Sequence, residues 1–428
     1  LKYNIETSFK KSLSKLFNKY KETGLPPRLI YINSQNEKKL LASTPNSTKD
    51  WVSASIYYDK VLKNIRLRHG GDNPINWMLE KKRLRIKSNK LELFDQKRYL
   101  EYFPLNISNL FSYEIMSALG LISNHIGLVE VYINGISKGI FHEKRVINES
   151  FIRHNKIMPI NVYKGENHAA EKNLTLNSNL FENSSLWSKI SIFNQLEEQD
   201  KTDLNLFLSK LKSVNTRKKV DITLDGYIDL KRFAKYQAYY VLTQNYNNLW
   251  FHNMRLTIDP WKGQIDFIEI DPFISNQVGS KFQFDLYSND LISFLSQSSE
   301  FNYLKYIDLW EIVNNEILHS TFKKIDKDLN SILISSDRDP EFNRNKIQSE
   351  IIKVKNILKN NQKTIKEKFL TNPNSFWANS DDYFSVQIDD ITPISNLELE
   401  FFNEKPKWVA IDLNNNKIAE KNEMIKIN

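Results

Sequence analysis

Cysteine is absent from the 428 residues, which rules out disulfide bonds and zinc thiolate sites and fits either a cytosolic protein or an exported one of Gram-positive type. Glycine is scarce, at 11 residues, while Lys, Asn and Ile abound, the mark of a low-GC coding bias. The same bias accounts for the Asn-x-Ser/Thr triplets that begin at Asn46, Asn106, Asn148, Asn173 and Asn183, so no glycans are assigned to them. No run of eighteen apolar residues occurs. The longest apolar region, residues 115–133, is broken by Ser117, Ser123, Asn124, His125 and Glu130, and no transmembrane helix is expected. The first residue is Leu, so the chain reads as a trimmed or processed fragment in which a missing signal peptide carries no information. Nor does one charge sign dominate: 60 Lys+Arg against 51 Asp+Glu give a net charge of +9, spread in short clusters at 60–68 and 81–90. A solvated basic surface explains that balance, and no specific nucleic-acid partner is expected. What remains is a soluble globular chain, 40% hydrophobic and 12% aromatic, long enough for a large core and two or three domains.

The most informative stretch is residues 244–273, QNYNNLWFHNMRLTIDPWKGQIDFIEIDPF. Residues 255–258 alternate as a strand, Asp259-Pro260-Trp261-Lys262-Gly263 is turn chemistry, and 264–270 alternate again before Asp271. Such a hairpin brings Asn253 and Asp271 together. In protein kinases an Asn and an Asp on such a pair hold the two magnesium ions that bridge the nucleotide phosphates, and the Asn lies five positions after the catalytic-loop Asp. Five positions before Asn253 stands Asn248, an amide, which cannot act as a base near neutral pH. If it holds the base position, Asn248→Asp should restore a proton acceptor and raise phosphotransfer on the order of 10²-fold. Asp259 and Asp266 fall on the far end or opposite face of the hairpin, and His252 reads as a packing or loop-ordering residue before a base or ligand.

Along the chain, residues 6–23 predict an N-terminal helix that stops at Gly24-Leu25-Pro26-Pro27 and leads into an extended segment. From 51 to 87 the period is two, in WVSASIYYD, KNIRLRH and RLRIK, with a turn at 69–74, which predicts an antiparallel meander. Residues 104–120 predict a helix ending at Gly120, and GLVEVYI and KGIFHEKRV form a hairpin through Asn134-Gly135. Strands, one helix and a hairpin match the order of a kinase N-lobe. Residues 150–225 are polar and receive no role. Residues 229–243 predict a helix running into the key segment, 284–294, 303–318 and 343–369 predict further helices, and from 381 the chain alternates again in YFSVQI, LELEFF and KWVAIDL.

Taken together, IRLRHGG with Trp77, KKRLRIK, SYEIMSALGL, VYINGISKGIFHEKRV with Phe151-Ile152, and HNMRLTIDPWKGQIDFIEIDP resemble, in order and spacing, the CotH kinase family of atypical kinases named after a spore-coat protein. The resemblance covers roughly residues 50–310. It implies an α+β, bilobal protein-kinase-like fold with an antiparallel β N-lobe and a helical C-lobe. The division that follows is a helical lead-in at 1–45, a kinase-like domain at 46–375 (N-lobe to about 150, C-lobe from about 151) and a small β appendage at 376–428, read as cut short.

By the same resemblance, Lys82 or else Lys87 looks like the lysine on the nucleotide phosphates, and Glu114 like its ion-pair partner. Gly70 and Gly71 look like the loop over the phosphates, Glu143 like the start of the hinge, and Asn253 and Asp271 like the metal pair. The cofactors implied are ATP with Mg²⁺ or Mn²⁺, and the partner a protein substrate, with an extracellular, cell-surface or spore-coat setting favoured and a cytoplasmic one open. Taken alone, the alternation over 81–90 more often describes an exposed strand face than a phosphate site. The departure from the family lies at Asn247-Asn248, where an Asp usually stands shortly before the His-Asn pair. An ATP- and metal-dependent transferase acting on Ser/Thr hydroxyls is therefore expected, against a pseudokinase that serves as a structural or cell-surface binding module.

Overall fold

The computed structural model describes residues 11–20, 24–42, 50–71, 80–157, 160–167, 179–191, 200–216, 226–249, 252–259, 261–276, 281–286, 288–370, 374–379, 384–389, 408–410 and 424–426. The architecture is mixed α+β. Seven strands form a closed barrel: β1 (Pro27–Tyr31), β2 (Val52–Tyr58), β3 (Val61–His69), β4 (Leu84–Ser88), β5 (Tyr99–Pro104), β7 (Ile136–Arg145) and β6 (His125–Ile133), in that order. The predicted meander is β2-β3-β4, and the Asn134-Gly135 hairpin is β6-β7 with positive φ at both turn residues, as a two-residue turn of this kind requires. Alternation sends Ile56, Ile65, Leu67, Leu84, Ile86, Leu100, Val131 and Phe141 into the barrel interior, where closure removes the exposed edges an open sheet would carry.

Two strands went unforeseen. The extended segment after the N-terminal helix is β1, which pairs antiparallel with β2 and parallel with β6 and so closes the barrel. Helical residues 11–20 are part of the same body, since Leu13 and Phe17 pack on Leu29, Tyr57 and Tyr132. Strand β5 bridges β4 to β7 across a long sequence separation.

Helix α1 (Ser34–Ala42) lies outside the barrel, and α2 (Ile107–Ala118), capped by the Asn106 side chain on the Asn109 N–H, joins barrel to helices. After α3 (Glu149–His154), the polar stretch left without a role supplies β8 (Asn161–Gly165), β9 (Trp187–Ser191) and α4 (Thr202–Thr216). Helix α5 (Leu230–Thr243) starts at the Asp229 cap, buries Phe233, Tyr236, Tyr239, Tyr240 and Leu242, and delivers the chain to the predicted hairpin. That hairpin is β10 (Met254–Ile258) and β11 (Ile265–Phe267), in register Leu256 to Phe267, within the sheet β11-β10-β8-β9.

The helices after it differ from expectation at their ends. The predicted 284–294 helix is α6 (Asp290–Leu295), which begins only after the Asn289 cap, and the predicted 303–318 helix divides at Asn315, where extended backbone separates α7 (Ser299–Asn314) from α8 (Ile317–Ser336). Helix α9 (Arg344–Leu370) agrees with 343–369. Past it, strand 384–389 pairs with 374–379 and strand 408–410 with 424–426, while LELEFF lies outside the described residues, as does Trp77. No helix among the described residues is long and apolar enough to cross a membrane.

The turn between α8 and α9 straps the helices to the barrel. Ser335 Oγ accepts the Leu25 N–H, Arg338 donates to both oxygens of Glu130, and Asp339 Oδ2 accepts both the Ile140 N–H and Lys81 Nζ at 2.7 Å. A Cβ on Gly139 would come within 2.2 Å of Asp339 Oδ2, and φ there is +87°, so only glycine lets the strap approach.

Candidate active site

Asp271 follows the β10-β11 hairpin with φ of +48°, and Asn253 precedes it with φ of +58°. Left-handed backbone is tolerated best by Asn, Asp and Gly, and it clusters where a loop must aim a functional group. The bond from Ile268 N to Arg255 O continues the hairpin register toward its open end, which sets Asn253 and Asp271 at that same end. Asp271 Oδ1 accepts from Lys144 Nζ at 2.7 Å, and Oδ2 lies 3.8 Å from Arg83. Asn247 Nδ2 ties down the Asp271 carbonyl at 2.9 Å. Burial alone would push the Asp271 carboxyl up, yet Lys144 and Arg83 reverse the effect and hold it below its ordinary range, so it is an anion at neutral pH.

Around this centre stands a second tier of charge. Glu101 accepts from Arg83 at 2.8 Å and Arg85 at 3.0 Å; against the upward push of burial, the two guanidinium groups hold its carboxyl well below the usual range. Glu166, just past β8, lies 2.6 Å from His252 Nδ1, accepts both Arg255 Nη atoms at 3.0 Å, and meets the Asn253 N–H at 3.4 Å. Burial raises its carboxyl, but His252 and Arg255 prevail and bring it down to about 2. His252 thus orders the loop that carries Asn253, as its sequence position suggested.

The structure redistributes several expected roles. Lys82 precedes β4, and Lys87 stands on the outer face of that strand, with its ammonium 5.5 Å from the Tyr99 ring centre. The buried lysine at Asp271 is Lys144. It was missed because Phe141 and Glu143 face the barrel, so strand alternation sends His142 and Lys144 the other way, onto the Asp271 side. Burial lowers the Lys144 ammonium, and Asp271 opposes that shift.

Glu114 does not serve as partner to Lys82: it ion-pairs with Lys324 of α8, because the helix turns that face toward the other helices. Glu143 is buried in the barrel, bound by Arg28 at 2.8 and 2.9 Å and by Tyr102 at 3.2 Å, which removes it from any hinge pocket. The Gly70 N–H donates to the Arg83 carbonyl at 2.8 Å and is therefore taken, while Gly71, at φ +87°, leads into residues outside the described set. Arg83, Glu101 and Glu166 were not anticipated. Glu166 carried no local signal, since only sheet pairing brings 166 beside 253.

Asn248 also departs from its expected place. It is 2% exposed, and its amide nitrogen lies 2.6 Å from both Tyr240 Oη and Glu269 Oε2, while Tyr240 Oη donates to the same carboxyl. The residue facing Asp271 is Asn247. A carboxylate at 248 would press against Glu269 inside the core, so Asn248→Asp is expected to cost about 2–4 kcal/mol of stability and not to supply a base. Urea denaturation checks this, and an unchanged midpoint would show that the amide is not held as described.

Glu269 itself offers a pH test. Burial pushes its carboxyl from 4.5 up to about 7, against the hydrogen bonds from Tyr240, Asn248 and Asn245 that favour the anion. With the folded value above the unfolded one, its contribution is complete below 4.5 and is lost as pH rises through about 7. Glu269→Gln should flatten the stability profile across that window, and a profile parallel to wild type would contradict the shift.

The donor chemistry bears on a metal. Among the described residues no three His, Asp or Glu side chains converge on one point. One ionised carboxylate and one amide, set among Lys144, Arg83 and Arg255, do not make an all-protein cage. They could hold a hard divalent ion only together with further oxygen ligands from outside the protein, such as phosphate or water.

Comparison with solved structures finds the Shewanella oneidensis MR-1 toxin–antitoxin system HipA, HipB and its operator DNA complex, at 9% identity and a TM-score of 0.26, over 67% of this chain and 59% of that one. No curated protein matches. Residues 96–291 match the family model described as CotH kinase protein, a span that holds Glu101, Lys144, Asn253 and Asp271, so this part of the chain is similar to the CotH kinase family.

Proposed function

We propose that the chain is an ATP- and divalent-metal-dependent phosphotransferase that moves the γ-phosphate to a Ser or Thr hydroxyl of a protein. In this reading the molecule is bilobal: the barrel, taken back to include β1, is the N-lobe, the β8–β11 sheet and helices α4–α9 form the C-lobe, and the strands after 374 are an appendage. The observation that carries the reading is the Lys144–Asp271 contact between β7 of the barrel and the end of the hairpin. Asp271 and Asn253 would hold the metal, and Lys144 with Arg83 would neutralise the phosphates. When bound, the metal supplies charge neutralisation on the transferred group, which with positioning provides most of the rate in phosphoryl transfer.

No carboxylate stands in the base position, because Asn247 faces Asp271 and Asn248 is spent on Glu269. That observation favours a second reading, a pseudokinase that binds nucleotide without turnover. A coat or cell-surface location rests on the family resemblance alone.

Thermal-shift titration with Mg·ATP and Mn·ATP, followed by labelling of the chain and of a generic acceptor protein with ATP labelled in its γ-phosphate, tests the proposal. A metal-dependent shift with label transfer is expected. A shift without transfer selects the pseudokinase, and no shift with either metal rejects nucleotide binding.

A further inference from the structure

The segment that leaves Asp271 ends at the wall of a groove that the site above does not use. Its backbone is pinned at three points: the Ile274 N–H bonds Ser108 Oγ of α2, the Ser275 N–H donates to the Thr243 carbonyl at 2.8 Å, and the Ser275 carbonyl accepts from Asn361 of α9 at 3.0 Å. Asn361 is 1% exposed and also donates to the Leu242 carbonyl at 2.9 Å. Asn276 comes next, and with one face of α9 it lines a groove of about 640 Å³. Ile352, Lys353, Asn356, Ile357 and Asn360 build that face, at the spacing that brings helical side chains together. Ile352 is 58% exposed. The carboxamides of Asn356 and Asn360 stand exposed one turn apart, each offering N–H donors and a carbonyl acceptor. Charge is sparse, since Lys353 is the cation of the lining and its ammonium lies 3.8 Å from Glu350. Along the same segment the Phe273 ring meets Tyr246, which is 40% exposed, edge-on at 5.1 Å, and Asn247 beside it holds the Asp271 carbonyl.

We propose that this groove seats an extended segment of the protein substrate, neutral and bearing apolar side chains, within a few residues of the hydroxyl to be phosphorylated. The inference rests on the phosphotransferase reading and names its substrate class. Three observations select this occupant. Asn276 follows Asp271 by five residues. Fully extended, such a stretch spans at most about 17 Å, so a peptide in the groove reaches Asp271 within about five of its own residues. Carboxamides suit a peptide backbone, because an extended chain presents N–H and C=O groups in equal number and Asn pairs with either, while alternate side chains fall on Ile352 and Ile357. The lining takes no residue from the barrel, whose Lys144 and Arg83 are assigned to the phosphates, and with one cation and no aromatic ring it is ill suited to a nucleotide.

The test is selection on the immobilised intact chain, without nucleotide, from a synthetic mixture of peptides that carry one central serine and about five randomised positions on each side. The retained pool should be enriched in Ile, Leu and Val and depleted of charged residues. Its best member, labelled and followed by fluorescence anisotropy, should bind Ile352→Asp and Asn356→Ala/Asn360→Ala about tenfold more weakly than wild type. The Mg·ATP thermal shift of both variants should equal that of wild type. If Ile352→Asp folds poorly, the alanine pair, which favours the helix, keeps the test. A pool without apolar enrichment overturns the proposal, as does equal affinity in the folded variants. A smaller Mg·ATP shift in the variants would seat nucleotide in the groove, and self-association of the wild type that Ile352→Asp abolishes would seat a second copy; either result overturns it. So does a selected peptide whose serine takes no label while a generic acceptor protein is labelled. Peptide binding is read without nucleotide and the thermal shift without peptide, so absence of the wild-type shift rejects the phosphotransferase reading alone and leaves peptide binding in the groove intact.

Discussion

Asp271→Asn is expected to abolish the metal-dependent part of ATP binding and to lower phosphotransfer by about 10³-fold, ~4 kcal/mol of barrier. The carboxylate is the anionic member of the candidate metal pair, and it is ready for a cation because Lys144 and Arg83 keep it ionised despite burial. An amide keeps the shape and loses the charge, so a hard divalent ion loses its strongest protein ligand. The fold should survive. Lys144, already shifted down by burial, can release its proton once its counter-ion is gone, and Glu101 still offsets Arg83. Lys144→Met separates the roles, since it frees Asp271 for the metal but removes the contact to phosphate. Nucleotide affinity should then fall while a Mn²⁺-dependent response persists. Wild-type Mg·ATP affinity in Asp271→Asn would remove Asp271 from the site.

The hairpin that bears Asp271 was readable because its information is local: a period of two, a turn of Asp-Pro-Trp-Lys-Gly, and a second period of two fix the register of β10 on β11 without reference to anything distant. Helix α2 and the β6-β7 hairpin were equally plain, for the Asn106 cap, Gly120 and Asn134-Gly135 each act within a few residues. What failed was partner choice. Lys82, Lys87 and Lys144 are all basic residues in or beside strands, and only the barrel's closure by β1 and the insertion of β5 decide which face reaches Asp271. Glu114 was assigned by its order after a basic strand, yet α2 turns it toward Lys324. Asn248 was placed by counting back from Asn253, but counting cannot tell which of two adjacent amides points into the core, and it is Asn248 that meets Tyr240 and Glu269. Glu166 and the strap at Asp339 depend on pairings some 90 to 260 residues apart in sequence, for which a single chain offers no pattern.

The strap supplies the largest expected effect on stability: Lys81→Met should destabilise the protein by about 3–5 kcal/mol. Lys81 and Asp339 are 1% and 0% exposed at their side chains. Burial pulls the Lys81 ammonium down, against the opposing pull of Asp339, which shows that the pair is expensive to dehydrate. Such a pair adds little net stability when intact and costs much when halved, because the survivor remains buried and charged. With methionine at 81, Asp339 keeps the N–H groups of Ile140, Glu341 and Phe342 but loses its cation. Urea midpoints of the variant should lie below those of wild type at both pH 4 and pH 8. Lys81→Met/Asp339→Asn, which deletes the stranded charge, should recover part of the loss. Ile140 lies on β7 four residues before Lys144, so loosening the strap should also weaken Mg·ATP binding in the variant that remains folded at neutral pH. A Lys81→Met protein within about 1 kcal/mol of wild type at both pH values would mean that the turn after α8 does not hold β7, and that the position of Lys144 is set by the barrel alone.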